Sequence, residues 1–94
     1  MLMESGNYIH IPYKVLMRRD LSQNAKLLYG LVGGFFDGEF TAGNIYISNV
    51  LGISKRSVQR ALGELKDKHI AIATNVLKGG RVVGRIITLT KRYE

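Results

Sequence analysis

Ile47-Ser48-Asn49-Val50-Leu51-Gly52-Ile53-Ser54-Lys55-Arg56-Ser57-Val58-Gln59-Arg60-Ala61-Leu62 is the stretch on which the fold turns. It predicts two short helices joined by a sharp corner. The first runs from Asn44 to Leu51, with Ile47, Val50 and Leu51 inward and Thr41 or Asn44 as its cap. Gly52 lies just past its end, where the left-handed conformation needs a residue without a β-carbon. Ile53 plugs the corner. Ser54 is a good N-cap for a second helix, about Lys55 to Lys68, in which Val58, Ala61, Leu62 and Leu65 share one face. With Val58 at zero and about 100 degrees per residue, those apolar positions fall within about 60 degrees of it. Arg56, Gln59, Arg60 and Gly63 fall between about 100 and 200 degrees, away from the core.

Upstream, Tyr8 to Ile11 alternates polar and apolar residues and reads as a short strand. Pro12, the only proline, suits the first turn of a short helix, Tyr13 to Met17. Ser22 caps a longer helix, Gln23 to Phe36, along which Ala25, Leu28, Tyr29, Val32, Phe35 and Phe36 recur at helical spacing. Gly33-Gly34 weakens its end by up to about 1 kcal/mol per glycine and leaves room for close approach of another element. Asp37-Gly38 signals a turn, and Glu39 to Thr41 reads as a short strand.

Downstream, Ile70 to Leu77 and Val82 to Thr90 are rich in Ile, Val and Thr. They flank Lys78-Gly79-Gly80-Arg81, a two-residue hairpin turn whose central positions both require positive φ. The pattern leaves the buried face of the hairpin open: Val83, Ile87 and Leu89 share one side with Arg85, while Val82, Ile86 and Gly84 share the other. The fold class is therefore α+β, a three-helix core followed by a C-terminal β-hairpin. That order is the winged helix-turn-helix arrangement, with residues 1–94 forming one domain.

The charge is unevenly placed. The formal net charge is +7. Residues 1–54 carry Lys14, Arg18, Arg19 and Lys26 against Glu4, Asp20, Asp37 and Glu39, and balance to zero. The whole excess lies after Ser54, in the second helix and the hairpin. Clustered cations that release counterions from a phosphate backbone point to a polyanionic partner. On the outward helix face, Arg suits guanine and Gln suits adenine in the major groove. Ser57 and the first-turn amides suit a phosphate.

The quoted stretch resembles the helix-turn-helix of winged-helix regulators. It is most similar to the N-terminal helix-turn-helix domain of phage and plasmid replication initiators. Ile11-Pro12, Leu21-Ser22 and Ala25-Lys26-Leu27-Leu28-Tyr29 extend the likeness upstream, so that it spans Ile9 to Ile72, about two-thirds of the chain. Replication proteins of that kind usually carry a further domain. The resemblance implies binding of double-stranded DNA with Ser54 to Arg60 at the groove and the Lys78 to Arg81 tip as a wing on phosphate or the minor groove. The DNA-binding set is then Ser54, Lys55, Arg56, Ser57, Gln59, Arg60, Lys78 and Arg81. Modules of this class commonly bind as homodimers on two half-sites, and no dimer seam stands out here.

Other functions find little support. There is no cysteine, so neither a disulfide framework nor a thiolate metal site is available. No apolar run approaches the ~20 residues of a membrane span, and Met1 to Gly6 lacks a signal-peptide pattern. The expectation is a cytoplasmic protein. His10 and His69 are too few for a metal or catalytic set. The acidic residues Asp20, Asp37, Glu39, Glu64 and Asp67 show no acid–base pairing. A tyrosine nickase would need a histidine metal cluster, and Tyr29 and Tyr46 read as packing residues. No phosphate-binding glycine loop is present. No enzyme activity, cofactor, membrane partner or small-molecule substrate is expected. The alternatives are a protein-interaction adaptor on a winged-helix fold and, further off, RNA binding. The latter lacks the exposed aromatic cluster that single-stranded recognition uses.

Overall fold

The computed structural model describes residues 9–34, 39–41 and 43–90. Four helices and three strands follow in the order α1 (Tyr13–Leu16), α2 (Gln23–Gly33), β1 (Glu39–Thr41), α3 (Asn44–Leu51), α4 (Lys55–Asp67), β2 (Ala71–Lys78) and β3 (Arg81–Leu89). This is a winged helix-turn-helix: α2, α3 and α4 form the helical core, and β2 and β3 form the hairpin. The strands make one antiparallel sheet in the order β1-β3-β2.

One apolar cluster holds the elements together. Leu28, Tyr29 and Val32 of α2 meet Ile47 of α3, Val58, Ala61, Leu62 and Leu65 of α4, Phe40 of β1 and Ile87 and Leu89 of β3. Leu65 has no exposed surface. Truncating such a side chain to Ala typically costs ~2–5 kcal/mol, because transfer free energy and a residual cavity add. The N-terminal segment crosses α2 closely. The His10 N–H donates to the Gly30 carbonyl at 3.0 Å, and a β-carbon on Gly30 would stand 2.5 Å from both Ile11 Cγ1 and Ile9 Cγ2. At Gly33, where close approach was expected, the His10 carbonyl would lie 3.2 Å from such a carbon.

Several local expectations are corrected. Tyr8 lies outside the described residues, and residues 9–11 form no strand. Helix α2 ends at Gly33, where two successive glycines remove helix-favouring side chains. Phe35, Phe36 and the Asp37-Gly38 turn lie outside the described residues. The N-cap of α3 is Gly43, which makes no side-chain cap. Thr41 is instead paired with Ile86 in the sheet. Asn44 is already helical, and its Oδ1 accepts from Arg85 Nη2 at 2.6 Å. Val50 is exposed rather than inward, because this two-turn helix meets the core along the edge carrying Ile47 and Leu51. Tyr46 is half-exposed, its ring centroid 6.3 Å from that of Phe40.

The hairpin divides along its length. At its root Ala71, Ile87 and Leu89 are buried, and the open choice of face resolves toward the Arg85–Ile87–Leu89 side. Farther out Leu77, Val82 and Val83 are exposed, as a wing projecting beyond the core requires. Val76 pairs with Gly84 and Leu77 with Val82. Val83 is thus the extra residue of a β-bulge, which bends and twists the strand. Gly79 and Gly80 close the turn at φ 59° and 78°.

Candidate nucleic-acid interface

Helix α4 is anchored along its length. At its start, Ser54 Oγ accepts the Ser57 N–H at 3.0 Å and its hydroxyl bonds Ser57 Oγ at 3.0 Å. At its end, the Ile70 N–H bonds the Leu65 carbonyl at 2.8 Å and the His69 N–H bonds that of Lys66 at 3.0 Å. These are the paired bonds of a Schellman motif. Its left-handed position is filled by His69 at φ 59°, the one non-glycine with positive φ among the described residues. Thr90 ties the same corner to the end of β3, donating from N to the Ile70 carbonyl at 2.8 Å and from Oγ1 to that of His69 at 2.7 Å.

The middle of α4 is fixed by a contact between residues 42 positions apart. Glu64 accepts the Ser22 N–H at 2.9 Å and the Ser22 hydroxyl at 2.6 Å. Ser22 Oγ in turn accepts from the Ala25 N–H at 3.1 Å and caps α2. A carboxylate beside the first turn of α2 also complements its helix dipole. Nearby, Arg18 grips Asp20 with both Nε and Nη2, and Lys68 lies 3.8 Å from the same carboxylate. The Arg18 hydrogen bonds hold the Asp20 carboxyl down to about 2. Lys26 Nζ donates to the Leu16 carbonyl at 2.7 Å and satisfies the end of α1.

Against this frame the sequence-predicted residues fall into two groups. Arg56, Gln59 and Arg60 are exposed on the outer side of α4, opposite the buried Val58, Ala61, Leu62 and Leu65, and Lys55 is exposed at its first position. Ser54 is exposed and Ser57 half-buried; both serve the cap, so their first role is to start the helix. Lys78 and Arg81 pair across the hairpin next to the turn and are exposed at the wing tip. The corner between α3 and α4 is tight. Gly52, at φ 70°, and Ile53 both donate from N to the Ser48 carbonyl, at 2.9 and 3.1 Å.

Arg85 is part of the sheet. It lies in β3, and its guanidinium reaches Asn44 at the start of α3. Burial pushes its pKa below the ordinary arginine range. The readable signal was a cation on the strand side that also carries Ile87 and Leu89. Between the wing and the starts of α3 and α4 lies a cleft of about 620 Å³, lined in part by Asn44, Lys55, Val83 and Arg85. Among the described residues no helix is long and apolar enough to cross a membrane.

A family model described as a helix-turn-helix domain matches residues 19–71. That span runs from the approach to α2 through the end of α4 and holds every predicted α4 site residue, while the wing lies beyond it. No curated protein and no solved structure matches the chain.

Proposed function

The chain belongs to the helix-turn-helix domain family, and from that premise we propose that it reads specific sequences in double-stranded DNA. Its role would be that of a transcription regulator or of the origin-binding module of a phage or plasmid replication initiator. The two roles share one recognition step and need no chemistry from the protein. The observation that carries the reading is the two-sided build of α4: four apolar side chains buried, and Arg56, Gln59 and Arg60 in solvent on the other side. A helix so mounted can enter a major groove. Phosphate contacts by Lys55, Lys78 and Arg81 supply affinity, while Arg and Gln supply base discrimination.

The test is selection of preferred duplexes from a random library, followed by binding of Arg60→Ala. Loss of ~1–3 kcal/mol on the selected site, with one base preference relaxed, is the expected result. An equal loss on every duplex would assign Arg60 to phosphate alone. Palindromic selected sites would indicate binding as a pair.

The adaptor reading draws on a different observation, the exposed apolar side chains Ile45, Tyr46 and Val50 of α3. Salt separates the two. Groove binding through cations weakens steeply as salt rises, whereas docking through an apolar helix face does not.

A further inference from the structure

We propose that the free edge of β2 is a self-association surface, on which two copies of this chain join β2 to β2, antiparallel about a two-fold axis at Thr74. The sheet order β1-β3-β2 leaves β2 at an end, and among the described residues it is bonded on one side only, by β3. An antiparallel strand turns the N–H and C=O of every second residue away from its neighbour. The outer side of β2 is therefore a row of unpaired donors and acceptors, and the group best matched to such a row is another strand.

Sheets commonly protect their edges by shortness, charge, proline or a bulge. The opposite edge follows that rule: β1 has three residues and carries Glu39. The β2 edge does not. It runs for eight residues, Ala71–Lys78, with no proline and no charge before Lys78. The bulge falls between Val76 and Leu77, beyond the regular run from Ile72 to Val76. Thr74 and Asn75, at mid-strand, are exposed.

The side chains select a second copy as the occupant. Facing residues in an antiparallel pair share one side of the sheet, and the side alternates along each strand. A two-fold axis between two copies of β2 must then pass through a residue that faces itself. Placed at Thr74, it sets Thr74 against Thr74 and Ile72 against the partner's Val76. All three positions lie on one side of β2 and are β-branched, a class that packs well across strands. Ile72 is half exposed in the single chain. An axis at Asn75 would instead put Lys78 opposite Ile72. One at Ala73 would put Val76 opposite Ile70, which is buried and lies before the strand.

Charge does not oppose this register. Each chain carries +7, but Lys78 is the only cation of β2. At ~3.4 Å per residue the two Lys78 positions lie roughly 27 Å apart, well beyond the ~8–10 Å screening length near physiological salt. Each chain has one long free edge, so pairing uses it up and the assembly closes at two. Strand addition on this scale is a small interface, under about 1,200 Å², so the pair should come apart on dilution.

The chain has no cysteine, so a single introduced thiol reports only on its own copy. Thr74→Cys and Ile72→Cys are oxidised side by side without DNA, and the native chain and Thr74→Lys are sedimented over a concentration series. Facing β-carbons lie ~4.5–5.5 Å apart, so Thr74→Cys should give a disulfide-linked pair about tenfold faster than Ile72→Cys, which faces the partner's Val76 instead of itself. Thr74→Lys sets two ammonium groups against each other at an exposed site and should raise the concentration needed for pairing about tenfold. Thermal melts check folding, and the cross-linking comparison carries the test should Thr74→Lys fail to fold. Faster cross-linking of Thr74→Cys supports the edge pair even where the native chain sediments as a monomer. Equal oxidation rates for the two thiols would overturn the proposal. So would a native pair that folded Thr74→Lys leaves undisturbed, since the copies would then meet through another surface. No arm uses DNA, so its failure leaves the α4 reading standing, and failure of duplex binding leaves the edge pair standing.

Discussion

Alanine at Gly30 and alanine at Gly63 are the same chemical change in the interiors of two helices, yet the structure assigns them opposite signs. In each helix the glycine costs up to about 1 kcal/mol relative to alanine. At Gly63 a β-carbon would meet nothing within 4 Å, so the substitution should recover most of that, about 0.5–1 kcal/mol. At Gly30 the new carbon would stand 2.5 Å from Ile11 Cγ1 and 2.5 Å from Ile9 Cγ2. Carbon atoms rest ~3.5–4.0 Å apart, so two β-branched side chains with stiff χ1 must move. The backbone cannot easily retreat, because the His10 N–H is tied to the Gly30 carbonyl. Overpacking of this kind costs ~1–3 kcal/mol. The intrinsic helix gain is common to both variants, so their difference in stability isolates the clash. For a domain of this size each kcal/mol moves Tm by roughly 4–8 °C. Gly30→Ala should therefore melt at least several degrees below Gly63→Ala. Urea denaturation should show the midpoints separating with unchanged m. If Gly30→Ala is as stable as Gly63→Ala, the N-terminal segment does not lie on α2 as described.

Three further outcomes follow from named contacts. Glu64→Ala should lose about 1–3 kcal/mol in chemical denaturation, since it strips the Ser22 N–H and hydroxyl of their acceptor; a change within a few tenths would mean that water replaces the carboxylate fully. His69→Gly should stabilise by up to about 1 kcal/mol, because glycine fills a left-handed position without the β-carbon penalty, and a loss would show that the imidazole makes a compensating contact. Asp20 is held at about 2 in the folded chain against an ordinary 3.8. A lowered carboxyl favours the fold above the unfolded value and gives that up as pH falls through the folded one. Acid titration of stability should therefore fall between about pH 4 and 2 in the native chain and be flatter there in Asp20→Asn; identical profiles would mean that the Arg18–Asp20 pair also persists in the unfolded chain.

What could be read from the residues is what is local. The positions of α4, the corner at Gly52, the Ser22 and Ser54 caps and the Gly79-Gly80 turn each depend on a few neighbours in sequence, and each is found where its residues place it. The faces failed where burial depends on distant partners. Val50 has helical spacing from Ile47, but among the described residues no element covers it. Arg85 sits on the side of β3 that becomes core two residues later, and its guanidinium is met by Asn44, 41 positions away. Gly30 gave no warning at all, because its meaning depends on a crossing by Ile9 and Ile11. The Schellman corner at His69 was hidden for another reason: its usual mark is glycine, and a histidine occupies the position.

These long-range contacts bear on recognition, because they determine how firmly the reading face is held. Helix α4 is capped by Ser54, pinned through Glu64 to the cap of α2, and closed at His69 against Thr90 at the end of β3. Its outward residues Arg56, Gln59 and Arg60 take no part in any of those bonds. Scaffold and readout are thus separable along one helix. On the proposed reading, a change at an outward residue alters contact with DNA while leaving the mounting intact. A change at Glu64 alters the mounting while leaving every DNA-facing group in place. Backbone order lost in the free protein must be restored on binding, and that ordering subtracts from affinity. Glu64→Ala should therefore weaken duplexes of all sequences by a common factor and leave base preference untouched, the reverse of the pattern expected for Arg60→Ala.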